Sequence, residues 1–387
     1  MTKSSIPKGW RVVKFGDVVD NMNETTRDPE AIGLDRVVGL DHMDPDSLPL
    51  KRWDNLCDLH EGTSFTRVFR AGQVLFGKRR AYQRKVSLPD FDGICSGDIL
   101  VFQPKNTELL SEFLPYLVQS DGFFDHALGT SAGSLSPRTK WQELVKYEFA
   151  LPPIAEQHRI VQLISSIDET IALKSAVDFG QLINALYAQK NNTPDKNISL
   201  GEVCSLRTAT VRELDAQSTI NYIDLSSVSR GGGIDTSLVE EFEVSNAPSR
   251  AQRIISTGDV LVATVRPNLR AVARVSSREH GWVASTGFAV LRPRDEIDSL
   301  FLYGLVLTDS FTNYLVQRAI GSNYPAVRNG DVESLPIPLE IWENRQEISR
   351  LVGQILILQD RVKNELENVS QLRKAALQDF LGAEANV

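Results

Sequence analysis

The clearest order in this chain is the spacing of its apolar residues. From Ile154 onward, Ile160, Leu163, Ile164, Ile167 and Ile171 recur at steps of three and four, which predicts an amphipathic helix to about Gln189, with Gly180 weakening its middle. Pro152 and Pro153, just ahead of it, suit a helix start. A second run, Ile348, Leu351, Ile355, Leu358, Val362, Leu366, Val369, Leu372 and Ala376, has the alternation of a coiled-coil seam. Apolar bursts at 36–40, 74–76 and 99–102, and again at 222–225, 260–265 and 288–291, predict short strands, with a helix near Leu114 in one set and near Leu302 in the other. Each set is read as an α+β globular unit.

The two sets echo each other. FRAGQVLFGKRRAYQRKV (69–86) returns as ISTGDVLVATVRPNLRAV (255–272) at an offset of 186, which aligns Arg80 with Arg266 and Arg84 with Arg270. SEFLPYLVQSDGFF (111–124) returns as SLFLYGLVLTDSFT (299–312) at an offset of 188, aligning Asp121 with Asp309. A Gly-Ser/Thr loop follows in each half, GTSAGSLSPRTKW (129–141) and GSNYPAVRNGDV (321–332), then a proline-marked boundary, then helix. A period this long means a doubled domain and excludes a solenoid. The spans read as 1–153 and 193–340 for the globular units and 154–192 and 341–387 for the helical regions.

Chain connectivity sets the expected direction of the helices. Residues 190–198 extend at most ~32 Å, whereas a 36-residue helix is ~54 Å long. The link cannot return along the helix, so the second helix is expected to run antiparallel to the first, with a pseudo-two-fold axis relating the units. That is the symmetry needed to read two separated DNA half-sites, about one helical turn apart.

Composition narrows the class. The 387 residues are 42% hydrophobic and 24% charged, as expected for a folded chain. Cys57, Cys95 and Cys204 form no CxxC pair, so neither a disulfide framework nor a thiolate zinc site is indicated. The opening MTKSSIPKGWRVV lacks a signal-peptide core and no run of 18 apolar residues occurs, which points to a cytoplasmic protein off the membrane. The net charge is -8, yet residues 62–89 carry Arg67, Arg70, Lys78, Arg79, Arg80, Arg84 and Lys85 with no acidic residue. Such a local excess calls for an anionic partner.

Catalytic motifs are missing. There is no GxxxxGK[ST] loop, no [ND]PP[YF] tetrapeptide and no HExxH; Leu151-Pro152-Pro153-Ile154 lacks the polar and aromatic residues that hold a flipped base. Asp41-His42-Met43-Asp44 reads as a surface turn. The DNA-binding candidates are therefore Arg79, Arg80, Arg84 and Lys85 in the first unit and Arg266, Asn268 and Arg270 in the second, side chains that contact phosphates or base edges. Arg138 and Lys140, and Asn323, Tyr324 and Arg328, join them from the two loops. A solvated charged hairpin is the alternative for either cluster alone. Ile160, Ile164, Ile167, Ile355, Leu358 and Val362 are the candidate partner-binding positions on the helices.

Several of these stretches resemble the specificity subunits of type I restriction-modification systems: the IPKGW opening ending at Trp10, GQVLFGKRR, GTSAGSLSPRTKW and above all LPPIAEQHRIVQLI (151–164). The second half departs from the last motif with LPIPLEIWENRQEISRLV. The resemblance implies two target-recognition domains held apart by an antiparallel helix pair. It implies no catalysis or cofactor in this chain, and a bipartite double-stranded DNA target with a spacer set by helix length. It also implies two modification (methyltransferase) subunits with S-adenosylmethionine, and restriction subunits with ATP and Mg. A stand-alone DNA enzyme or a coiled-coil scaffold are the other readings of the residues.

Overall fold

The computed structural model describes residues 7–59, 63–188, 196–230 and 232–381, without the side chains of 296–298. Ile6 and most of the 190–198 link lie outside these residues. The chain divides into two compact units, Met1–Ser175 with Glu365–Val387, and Ala176–Asn364.

Unit 1 contains two four-stranded sheets. One runs in the order Val19–Asn21, Ile99–Pro104, Val74–Gly77, Val86–Ser87 and is wholly antiparallel. The other runs Asp54–Asn55, Arg36–Val38, Gly93–Cys95, Arg67–Phe69, with its central pair parallel. The sequence explains the layering. Successive side chains of a strand point to opposite faces, so Val74, Phe76, Leu100 and Phe102 join a core with Phe113, Leu114, Phe123 and Phe124 from the helices. Leu75, Ile99 and Val101 face the other way, onto Val38, Phe69 and Cys95 of the second sheet. A strand buried on both faces reads as an unbroken apolar run, and VLFG is one.

Unit 2 repeats this strand for strand. Its sheets run Cys204–Ser205, Phe288–Pro293, Val260–Ala263, Val272–Arg274, and Glu240–Glu243, Thr219–Ile223, Val283–Ser285, Ala251–Ile254. Val260, Val262 and Leu291 face the helical core, while Leu261, Ala263 and Val290 face Ile223 and Ala284 of the other sheet. The expected single helix is a capped pair in each unit: Leu114–Gln119 with Asp121–Gly129, and Glu296–Leu307 with Asp309–Arg318. Ser120 and Thr308 sit between the partners and accept from the Phe123 and Phe311 backbone N–H groups.

The helical regions correct two expectations. The first is broken into Ile154–Ser175 and Phe179–Tyr187. The interruption lies at 176–178, ahead of Gly180, because the Asp178 carboxylate caps the second helix by accepting from Gln181 N–H at 3.0 Å. The second region is one helix, Arg345–Leu381. Along it Ile348 and Val352 are buried in unit 2, and Ala376, Leu377 and Leu381 are buried as well, whereas the expected seam residues Leu358 and Leu372 are 48% and 58% exposed. A strict seven-residue seam drifts off one face of a straight 3.6-residue helix.

Within unit 1, residues 365–381 run antiparallel to Ile154–Ser175. Lys174 pairs with Glu365, Asp168 with Arg373, and the Arg159 guanidinium lies over Phe380, so one number rises as the other falls. Leu377 and Leu381 enter the same core as Ile160 and Ile164. Those two isoleucines are fully enclosed and Ile167 is nearly so, which leaves them no surface for a partner chain. Of the six positions expected to bind partners, Leu358 presents the most surface; Ile355 and Val362 are half-buried.

The LPPIAEQ stretch also finds a physical role. Gln157 is fully buried, and its amide accepts from Leu110 N–H at 2.9 Å while donating to the Glu108 and Pro152 carbonyls at 2.8 and 2.9 Å. One side chain thereby satisfies three backbone groups at the joint between sheet layer and helix.

Candidate nucleic-acid interface

In each unit the buried hairpin of the antiparallel sheet is bridged by a short 3-10 turn, Ala81–Gln83 or Pro267–Leu269, with an arginine on either side. All four arginines are left-handed: φ is 55° at Arg80, 51° at Arg84, 52° at Arg266 and 53° at Arg270. Asp46 is the other non-glycine residue with positive φ among the described residues. The conformation costs an L-residue roughly 1–2 kcal/mol, so glycine is the local solution. At all four places the arginine side chain is engaged within its own unit.

A loop is pinned over each turn. Arg80 N–H donates to the Pro137 carbonyl at 2.8 Å and Arg266 N–H to the Pro325 carbonyl at 2.7 Å. The loops are closed by reciprocal backbone bonds, Ala132 with Arg138 and Ile320 with Ala326, all at 3.0 Å. Gly133 and Gly321, with φ of 115° and 117°, make the bends inside them, a region closed to other residues without strain. Leu135 and Tyr324 are 90% and 69% exposed at the tips.

The arginines divide by role. Arg80 donates to Ser136 Oγ at 3.3 Å, and Arg266 donates to the Asn323 carbonyl at 3.1 Å with its guanidinium 4.4 Å from the centre of the Tyr324 ring. Each is thus held against the loop above it. Exposed Tyr82 follows Arg80, and exposed Asn268 follows Arg266. Arg84 and Arg270 turn the other way. Arg84 binds Asp46, Asp121 and the Gln119 carbonyl and lies over Phe124, while Arg270 pairs with Asp309. Their guanidinium groups are engaged within their own units, as is the Lys85 ammonium, which donates to the Leu40 carbonyl at 2.6 Å. Phosphate contact through Arg84, Lys85 or Arg270 would use the donors that these bonds leave over or displace the bonds themselves.

Arg138 grips Asp98 with two hydrogen bonds of 2.8 and 3.2 Å, and Arg79 reaches the same carboxylate at 3.5 Å. The bonds from Arg138 hold the Asp98 carboxyl below its ordinary pKa against the opposing effect of burial. Lys140 and Arg328 are exposed. The 41–44 cluster is a turn in which His42 Nδ1 accepts from Gly39 N–H at 3.0 Å and Met43 is buried in the sheet core. Among the described residues no group of three or more His, Cys, Asp or Glu could hold a metal ion, and no helix is long and apolar enough to cross a membrane.

Arg67 and Arg253, on equivalent edge strands, form a further repeated pair that no motif marks. Their signal was the offset of 186. Arg67 Nη1 is buried without a hydrogen-bond partner, and burial alone lowers the pKa of Arg253.

The fold and site define a duplicated α+β protein in which each unit presents a pinned, left-handed arginine beneath an exposed loop. Residues 7–177 match the model of the type I restriction modification DNA specificity domain. The specificity subunit of the type I restriction enzyme EcoDI of Escherichia coli is 26% identical over 258 residues, 64% of this chain and 51% of the relative, so the match spans about half of that relative's length. Two solved structures share the fold over nearly the whole chain. A chain from a study of assembly and conformational transition in the type I R-M system has a TM-score of 0.58 at 20% identity, covering 99% of this chain and 100% of that one. The type I restriction-modification S subunit from M. genitalium has a TM-score of 0.52 at 16% identity, covering 98% of each. Residues 7–177 are thus similar to the type I restriction modification DNA specificity domain, and the chain is similar in sequence to specificity subunits of type I restriction enzymes.

Proposed function

We propose that this chain is the non-catalytic DNA-reading subunit of a type I restriction-modification complex, with one half of a bipartite double-stranded site read by each unit. The observation that carries this reading is the repeated Arg80 and Arg266 arrangement: a strained backbone aims a planar five-donor fork beneath an exposed loop at the same place in both units. A guanidinium held in that way suits bidentate contact with the O6 and N7 atoms of guanine.

The chemistry then belongs to partners. Two modification subunits would supply adenine methylation with S-adenosylmethionine, and restriction subunits would supply ATP- and Mg-dependent translocation and cleavage. Exposed apolar residues on the helices, Leu163, Leu173, Ile357, Leu358 and Leu372, are available as docking surface. The helical regions would set the unread spacer, with half-site centres about one turn of B-DNA apart, ~34 Å.

The test is to co-express the chain with its cognate modification subunits and map methylation on a library varying both half-sites and spacer length. The expected result is methylation of one bipartite motif, with Arg266→Ala relaxing a single half. Turnover by the chain alone would point to a stand-alone enzyme, and methylation indifferent to sequence would reduce the chain to a scaffold.

A further inference from the structure

The two units share a backbone frame at the pinned turn but not its charge. Lys78 N–H donates to the Asp98 carbonyl at 3.0 Å and the Lys78 carbonyl accepts from Thr139 N–H at 3.1 Å. In unit 2 the same two bonds join Thr264 N–H to the Gly287 carbonyl at 2.8 Å and Val327 N–H to the Thr264 carbonyl at 2.9 Å. A bridge between Arg79 and Arg138 becomes one between Val265 and Ala326. Lys78, Arg79, Asp98 and Arg138 are therefore replaced together by Thr264, Val265, Gly287 and Ala326, with the main-chain bonds unchanged.

The charges in unit 1 do not balance. Asp98 is already occupied by Arg138 and Arg79. The Lys78 ammonium makes no hydrogen bond among the described residues and is attracted by that same, already shared Asp98 carboxylate, while neighbouring Arg67 has a buried, unpaired Nη1. Arg79 Nε and Arg80 Nε are also buried without partners. Burial, and next the charge of Arg67, hold the Lys78 ammonium below its ordinary pKa. Lys78, Arg67 and Arg79 are partly withdrawn from water and Arg138 is exposed; four cations sharing one carboxylate, three of them partly buried, are costly to keep unless an anion completes them.

We infer that Lys78 and Arg67, with Arg79 and Arg138 around Asp98, form a recess in unit 1 for one phosphate of the DNA backbone, a grip of which unit 2 keeps only Arg253, the equivalent of Arg67. The inference rests on the DNA-reading function proposed above and adds an asymmetry to it: unit 1 holds its half-site by charge as well as by reading, whereas unit 2 relies on Arg266 and its loop. Thr264, at the place of Lys78, spends its hydroxyl on the Gly287 carbonyl at 2.8 Å and offers DNA nothing.

The experiment measures binding of a fluorescent duplex by the full chain with its modification subunits across a salt series, for wild type, Lys78→Met and Lys78→Arg. The slope of log affinity against log salt should fall by about one for Lys78→Met. Its loss of affinity between 50 and 200 mM salt should then be about 3.5-fold smaller than that of wild type. Half-site preference should stay intact, and Lys78→Arg should restore the slope. A neutral methylphosphonate placed singly along the unit 1 half-site should reproduce the defect in wild type at one position and add nothing to Lys78→Met; on wild type alone, this arm holds even if the variant folds poorly. An unchanged slope, or a loss confined to one base pair, would overturn the phosphate assignment. Inorganic phosphate that raises the melting temperature of wild type but not of Lys78→Met, with no change in DNA slope, would reassign the recess to a free anion. Wild type failing to bind any duplex with its partners present would instead remove the DNA-reading function itself.

Discussion

Replacing Arg84 by alanine and by glycine should give an inverted order of stability, with glycine the better tolerated. Both substitutions remove the ion pairs to Asp46 and Asp121, the hydrogen bond to the Gln119 carbonyl at 2.9 Å and the ring contact with Phe124. The carboxylates are 58% and 39% exposed, so each pair is worth roughly 0.2–1 kcal/mol. The ring contact adds roughly 0.5–1 kcal/mol, and the charged hydrogen bond, partly screened, about 1.5 kcal/mol. Because these share one guanidinium they do not add fully, and Arg84→Ala should cost about 2–3 kcal/mol. Alanine keeps the left-handed strain, while glycine relieves it at the expense of a more flexible unfolded chain, leaving glycine ahead by about 1 kcal/mol. Urea unfolding followed by fluorescence of Trp10, Trp53 and Trp141 in unit 1 reads the difference. The same order should hold at Arg270 in unit 2, followed through Trp282 and Trp342. Alanine equal to or better than glycine at both positions would show that left-handed backbone is not what these arginines sustain.

Other expectations are more compact. Gln157→Leu strands one buried N–H and two carbonyls and should destabilise unit 1 by roughly 2–4 kcal/mol, seen as a lower urea midpoint for that unit. Tyr324→Ala removes the ring against which Arg266 lies; it should weaken cognate binding in the same half-site as Arg266→Ala, by roughly 1–3 kcal/mol or less, and equal losses on scrambled DNA would argue against base reading. Burial pushes the Cys95 and Cys204 thiols up to about 12, so at pH 8 a maleimide should label Cys57 alone in the folded chain and all three after unfolding. For the same reason stability should fall as pH rises above about 9, because the unfolded thiols ionise there while the folded ones hold their protons.

Periodicity and self-similarity carry much of this architecture. The two-faced strand 74–77 and its echo at 260–263 were legible because a doubly buried strand needs an unbroken apolar run, and the offset of 186 tied them together. Which arginines face outward was not legible. Arg80 and Arg84 are four residues apart in one basic run, and their opposite roles follow from left-handed backbone and from Asp121, a partner on a helix far along the chain. The break at 176–178 is not legible in helix propensity, which marks Gly180, because its cause is the Asp178 cap two residues earlier. Lys78 and Arg67 were visible as charge; that one Arg67 nitrogen is buried without a partner, and that Lys78 shares Asp98 with two arginines, is a matter of tertiary placement, which no local pattern records.

The composition of unit 1 has a consequence for biosynthesis. Its core is closed by Leu377 and Leu381, which seal Ile160 and Ile164, and the whole of unit 2 is encoded in between. At ~5–20 residues per second a ribosome needs on the order of 10–40 s to cross that interval. Throughout it the first unit is made but unsealed, and the second is finished earlier than the one that precedes it. A nascent chain of this kind stays exposed to proteases and chaperones until residues 365–381 emerge, which makes that helical stretch a checkpoint for the integrity of the message as well as a piece of the fold.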